Sequence, residues 1–301
     1  MTEKPLHCLE DIPGLVHKTF CTNDGVRLHY VDIGCGPCVV LLHGFGIDCT
    51  FWTYTLAALS EHFRVLALDQ RGHGQSGKPD YGMKIARLAC DVREWLEHEN
   101  ISCASFVGHS MGCAVIWSMI EQFGQSGVER LAFVDEPPMV LGDSGWSDEE
   151  RRNAGAFVTN IHAFSPYPQT TGHVDDAAWP LKPRLPDTPY SKALHHPAWE
   201  RPPALRRLMF NHACQDWRDL LPRITRPVLI FTGEHSDWLQ SQRWMQSVMP
   251  DTALSCFPTE ESGDHDLFFK NPIRFNRELL VFLSLKEEPV AETKSATSPL
   301  L

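Results

Sequence analysis

Ser110 stands in Gly108-His109-Ser110-Met111-Gly112, and its surroundings decide what it could do. A serine hydroxyl is a weak nucleophile at neutral pH, so it needs a base beside it and preorganised donors for the charge it creates. Ser105 to Val107 reads as a short buried strand, and Met111, Val115, Ile116, Met119 and Ile120 recur at helical spacing. The stretch is therefore a strand, a sharp turn and a helix. Such a turn holds the hydroxyl out at a helix N-terminus, where free N–H groups face developing negative charge. Gly108 and Gly112 suit places where backbone meets backbone and a Cβ would clash. The chemistry offered is attack on a carbonyl carbon. The pentapeptide alone is a weak signal, because Gly and Ser are common, so the rest of the chain must carry the inference.

Other patterns compete for attention. Gly72-His73-Gly74-Gln75-Ser76-Gly77 matches G-x-G-x-x-G and, with Lys78, nearly matches a phosphate-binding loop. A dinucleotide loop opens a helix at once, but Pro79-Asp80-Tyr81-Gly82 follows here as loop, and Pro79 has no hydroxyl for magnesium. Cys35-Gly36-Pro37-Cys38 carries the spacing of a redox dithiol, yet the strand-like Val39 to Leu42 follows it in place of a helix that would lower a thiol pKa. It reads as a turn. With 15 histidines a metal enzyme is conceivable, but no H-E-x-x-H motif or repeated C-x-x-C site appears, and no cofactor is expected. His195-His196 is read as surface or pocket lining.

The 301 residues can bury one full-sized core, and a net charge of −11 argues against a nucleic-acid partner. Residues 1–10 have no apolar run, no segment approaches a membrane span, and ten cysteines without a signal peptide suit a reducing compartment. A cytoplasmic protein acting on a small molecule is expected, with oligomeric state open.

These residues need positioning elements. A hairpin, His17 to Phe20 and Val26 to Asp32, turns at Asp24-Gly25. Strand Val39 to Leu42 leads to the loop His43-Gly44-Phe45-Gly46 and a helix from about Phe51 to Leu59. Strand Val65 to Leu68 precedes a helix from Met83 to Glu97. The serine turn and strand Leu131 to Val134 follow. Alternation of this kind predicts an α/β fold with a parallel sheet covered on both faces. Between Pro137 and Pro222 no buried strand appears. A helix capped by Ser147 is expected through about Ala163, within a helical cap whose aromatics include Trp146, Phe157, Phe164, Tyr167, Trp179, Tyr190, Trp199 and Trp217. The sheet resumes at Pro227 to Phe231, followed by a helix over Gln240 to Val248, strand Ala253 to Phe257 and a helix from Pro272 to Leu285. The expected division is a core of 1–138 and 222–285, a cap over 139–221 inserted after strand 6, and a disordered tail over 286–301.

Five signals in this order resemble the α/β-hydrolase fold family: the His43-Gly44 loop, Asp69-Gln70-Arg71-Gly72-His73-Gly74-Gln75-Ser76, the turn at Ser110, Gly233-Glu234-His235-Ser236-Asp237, and His265 seven residues before Pro272. The resemblance runs from Lys18 to Leu285 and is nearest to cofactor-free esterases, haloperoxidase-like perhydrolases and epoxide-hydrolase relatives. It implies a mostly parallel twisted sheet and a triad in the order Ser, acid, His. By that resemblance Ser110 is the nucleophile, His265 the base and Asp237 the orienting acid, with Asp135 the alternative acid after the preceding strand. One departure is Asp264 between Gly263 and His265, where the family commonly has Gly; Asp264 and Asp266 would raise the histidine pKa. The backbone N–H groups of Phe45 and Met111 form the implied oxyanion hole. His43, His109, Trp217 and Phe268 are candidate pocket residues, with His43 more a holder of its loop than a catalyst.

The implied activity is hydrolysis of a carboxylic ester or thioester with an apolar or aromatic acyl part. The same constellation serves C–C bond hydrolysis, perhydrolysis, lyase chemistry, acyl transfer and slow ligand receptors. Serine at position 110, not aspartate, counts against a carboxylate nucleophile.

Overall fold

The computed structural model describes residue 6, residues 8–156 and residues 203–285. Strands β1 (Val16–Cys21) and β2 (Arg27–Ile33) form the expected hairpin, with Gly25 at φ 83° supplying its turn. β3 (Cys38–Leu42), a 3-10 turn at Cys49–Trp52, helix α1 (Thr53–Leu59), β4 (Arg64–Leu68) and α2 (Ile85–His98) follow. Then come β5 (Ala104–His109), α3 (Met111–Phe123) and β6 (Val128–Val134). After a long connection come β7 (Val228–Gly233), β8 (Thr252–Phe257) and their helices.

The eight strands form one sheet in the order β1-β2-β4-β3-β5-β6-β7-β8. From β4 to β8 every pairing is parallel, while β1–β2 and β2–β4 are antiparallel. Every residue of β3, β5 and β7 is buried, as strands covered on both faces must be. Alternate residues serve opposite faces: Val40 and Leu42 join the core under α2 and α3, whereas Val39 and Leu41 join the core against α1. A parallel sheet puts the loops after β3, β5, β6, β7 and β8 along one edge, and the sequence candidates lie there.

The connection between β6 and β7 carries α4 (Asp148–Ala154) and α5 (Pro203–Ala213) among the described residues. α4 begins as expected, with Ser147 and Glu150 in a reciprocal capping box. It stops at Ala154, well short of Ala163, because Gly155 takes a left-handed conformation at φ 73° and ends the helix. The two ends of the connection pair with each other through Trp217 N to Pro138 O at 3.0 Å and Leu141 N to Ala213 O at 3.1 Å. The expected aromatics Phe157, Phe164, Tyr167, Trp179, Tyr190 and Trp199, the pair His195-His196 and the tail over 286–301 lie outside the described residues. After β7 come α6 (Leu239–Val248) and, past β8, α7 (Leu267–Lys270) and α8 (Pro272–Ser284). Among the described residues no helix is long and apolar enough to cross a membrane.

The competing motifs resolve into structure. Cys35 to Pro37 is a turn, and burial on β3 pushes the Cys38 thiol up to about 12, far from a reactive thiolate. All ten cysteines are free. In the glycine loop, the Gln75 N–H that a phosphate would need is donated to Asp69 Oδ2 at 2.8 Å.

Candidate active site

Ser110 and Asp135 are each the first residue past adjacent strands, and the sheet's bonding extends to both. Ser110 N donates to Val134 O and Asp135 N to Phe231 O, each at 2.9 Å. Both take positive φ, 50° and 51°, a strained conformation for residues with a Cβ. The sequence allows this at Ser110 because its glycines let elements touch: a Cβ on Gly112 would lie 2.3 Å from Leu42 O, and one on Gly108 2.7 Å from Cys113 N. The turn is thereby wedged between β3 and α3. Gly44 packs over it, so close that a Cβ there would sit 3.1 Å from Ser110 Cβ. The His43 to Gly46 loop and the start of α3, which carry the Phe45 and Met111 N–H groups, thus flank the serine.

His265, in the loop between β8 and α7, directs Nδ1 at Asp135 Oδ2, 2.9 Å away. Asp135 is fully buried, and its other bonds come from Thr232 Oγ1 at 2.7 Å and Ser236 Oγ at 3.0 Å. The expected partner, Asp237, is exposed and makes no such contact. The acid beside His265 is therefore Asp135, the alternative. The reason is geometric: the loop after β7 turns Ser236 inward onto Asp135 and leaves Asp237 facing solvent. The loop expected to supply the acid instead supplies hydroxyls that hold one from the neighbouring strand.

Burial works against a charged His265. Its hydrogen bond to Asp135, with the charges of Asp135, Asp266 and Glu136, outweighs burial and raises the pKa above the ordinary histidine value. Asp266 contributes as the sequence suggested, but Asp264 is drawn off by Lys270 Nζ at 2.5 Å. The edge of Trp238 packs on the imidazole with ring centroids 4.9 Å apart.

The other candidates have supporting positions. His109 donates from Nε2 to His265 O at 3.0 Å, and burial holds its pKa well below the ordinary value, so it stays neutral. It fixes the His265 backbone. His43 Nδ1 donates to Gly44 O at 2.7 Å while Nε2 accepts from Gln70 N at 3.0 Å, which makes it the holder of its loop, as expected. Phe268 and Trp217 sit in the core and not against open space. Phe268 packs between His109 and Trp52 with centroids 4.6 and 4.5 Å away, and Trp217 lies against Trp117 of α3.

Sequence reasoning missed Thr232, Ser236 and Trp238. The signal for Ser236 was a hydroxyl in the acid loop, one position before the expected Asp237. It also missed a buried group, His29, Cys49 and Asp69, that brings one possible metal-ligand atom from each to within 4.8 Å of the others. Asp69 there accepts from His29 Nδ1, Cys49 N and Gln75 N, each at 2.8 Å, and burial pushes the Cys49 thiol well up. These bonds make the group a hub that ties β2, β4 and the loops beside the site.

Known proteins agree with this architecture. Bifunctional epoxide hydrolase 2 of Sus scrofa is 38% identical over 140 residues, which are 45% of this chain and 24% of that protein. A soluble epoxide hydrolase of a Corynebacterium species is 37% identical over 123 residues, 40% of this chain and 43% of that protein. The match thus spans less than half of either relative. Among solved structures, an esterase from Exiguobacterium antarcticum superposes with TM-score 0.70 at 20% identity over 89% of this chain and 99% of its own. A bromoperoxidase from Bacillus anthracis gives 0.67 at 22% identity over 89% and 99%. These structural likenesses show the fold. The profile described as "Alpha/beta hydrolase family" matches residues 39–278, most of the chain. With a strained serine between β5 and α3 and His265 bonded to buried Asp135 on the same sheet edge, this chain belongs to the alpha/beta hydrolase family.

Proposed function

We propose that the protein is a serine hydrolase that cleaves a carboxylic ester or thioester with an apolar or aromatic acyl part. The observation that carries this reading is the 2.9 Å bond from His265 Nδ1 to buried Asp135, on the sheet edge where Ser110 leaves β5. Asp135 fixes the tautomer, so His265 Nε2 is free to act as base. Ser110 Oγ adds to the substrate carbonyl carbon and its proton passes to Nε2. The oxyanion is held by the N–H groups of Phe45 and Met111. His265 returns the proton to the departing alcohol or thiol, which leaves an acyl-Ser110. Water then adds, its proton goes to His265, and the carboxylic acid departs as Ser110 recovers the proton. The protein acts in the cytoplasm on a small molecule. The epoxide hydrolase relatives bear names for another bond, but an alkyl-enzyme ester on a carboxylate would require aspartate where this chain has Ser110.

Intact-protein mass after exposure to a fluorophosphonate tests the reading. One adduct is expected on wild type, none on Ser110→Ala, and strongly slowed labelling on His265→Ala. A folded wild type that takes up neither this probe nor a smaller one would sink the mechanism.

The raised pKa of His265 sets the pH dependence. The imidazole must be neutral to accept the serine proton, so kcat/KM for an ester falls as pH drops through a midpoint above the ordinary histidine value of 6.5. Asp266→Asn removes one charge that favours the imidazolium and shifts the midpoint down. A pH–rate profile with wild type at or below 6.5 would contradict this account of the histidine's surroundings.

A further inference from the structure

Three of the six large apolar side chains that stand exposed among the described residues belong to one helix and its end. Ile273 is 83% exposed and Val281 62% on α8, and Leu285, at 55%, follows its last turn. Intervals of eight and four residues put them on one face. On the other side Phe275, Leu279, Phe282 and Leu283 are buried in the core. A surface helix ordinarily turns a polar face to water, so an apolar outer face marks a place where something binds.

That face borders a groove of about 560 Å³ between α8 and α1. Tyr54, Ala58, Pro272, Ile273, Leu280 and Val281 line it, with Asn276 and Arg277 as its polar members. Asn276 is committed, since its Nδ2 donates to Tyr54 O at 3.1 Å and ties the two helices together. Arg277 is not. It is exposed and pairs with no described residue, whereas Arg274 on the same helix is held by Glu278 at 2.8 Å and Glu261 at 2.6 Å. Arg277 stands four residues from both Ile273 and Val281, about 6 Å along the axis. The groove is thus an apolar trough with an open guanidinium between its exposed walls.

A guanidinium holds a planar carboxylate through two parallel N–H bonds, and apolar walls take up an alkyl or aryl body. We propose that the groove between α1 and α8 binds a carboxylic acid with an apolar body, its carboxylate on Arg277. Charge and size decide against larger occupants. The net charge of −11 sets a second copy, or an anionic bilayer, against the molecule as a whole. One 13-residue helix, about 20 Å long, also presents much less than the roughly 800 Å² per partner of a standard interface. A small acid brings a single charge and places it on the guanidinium. The acid released in the hydrolase reading has this character, but the site does not depend on that reading, because it uses none of Ser110, Asp135 and His265.

Photolabelling of the full chain tests it. The probe is octanoic acid carrying a diazirine in its chain, and the labelled residues are mapped by mass spectrometry after digestion. Label is expected within residues 272–285, suppressed by octanoate about tenfold better than by 1-octanol. Arg277→Gln lowers it there by about five- to tenfold, since the charge-assisted bonds go. Val281→Glu, at an exposed position, removes it, with folding checked by circular dichroism. Label that both competitors suppress equally, or that Arg277→Gln leaves unchanged, overturns carboxylate recognition. Label only around Ser110, or none at all, overturns the site. Light scattering and flotation on phosphatidylcholine vesicles, with wild type and Val281→Glu, then show whether a second copy or a bilayer covers the groove instead. No step requires turnover, so the outcome is independent of whether Ser110 is a nucleophile.

Discussion

Asp135→Asn is expected to lower kcat on any ester the protein turns over by about 10⁴-fold, whereas Asp237→Asn leaves it within about twofold. The difference follows from what each carboxylate touches. Asp135 is buried at the end of β6 and accepts from His265 Nδ1, Thr232 and Ser236. An amide there offers the imidazole either a weaker acceptor or a competing donor, and the donor orientation turns the ring to the wrong tautomer. Removing the charge also lowers the His265 pKa, so the residual activity should have a pH midpoint below that of wild type. Asp237 is exposed and makes no contact with the imidazole. Steady-state kinetics on both variants, with folding checked by circular dichroism, decide the matter. Equal losses, or a larger loss in Asp237→Asn, would show that the loop after β7 carries the acid during turnover.

The second large effect is on stability. Arg71, fully buried in the glycine loop after β4, makes a bidentate pair with Asp91 of α2, with both bonds at 2.7 Å, and reaches Asp24 of the β1–β2 turn at 2.8 and 2.9 Å. Three separate elements are tied by one guanidinium. Its bonds to Arg71, with that residue's charge, bring the Asp24 pKa to about 2 against the opposing effect of burial. Arg71→Met would leave Asp91, 1% exposed, with Arg87 as its remaining cation. Removing one partner of a buried ion pair leaves an uncompensated charge, so a destabilisation of about 3–5 kcal/mol is expected. Arg71→Met with Asp91→Leu should recover most of that loss, because the stranded charge goes too. Urea unfolding monitored by fluorescence measures both, and a single variant within about 1 kcal/mol of wild type would mean that Arg87 suffices. The loop of this decoy motif is therefore bound up with structure: its Gln75 N–H and Gly74 lie against Asp69, and its arginine holds Asp91.

The sequence by itself determined the strand and helix order, the parallel sheet and the turn at Ser110, because these rest on local signals. Short, largely apolar runs bounded by turn signals read as buried strands, and the Gly108 and Gly112 spacing marks the close contact of β5, α3 and β3. Its resemblance to the family also singled out His265, in the loop before the last helix. Which carboxylate meets His265 was decided by tertiary structure. β6 and β7 are neighbours in the sheet, so acids following either strand start within reach of the same histidine. The choice turns on side-chain direction in an irregular loop, where Ser236 points in and Asp237 points out, and no periodicity governs a loop of that kind. The end of α4 at Gly155 had a local signal, a glycine able to take the left-handed conformation, that the longer helical pattern masked. The approach of His212 Nε2 to Glu136 Oε1, 3.2 Å across 76 residues of chain, had none. It exists because two ends of one connection pair side by side, and pairing between distant segments is settled only when the chain packs.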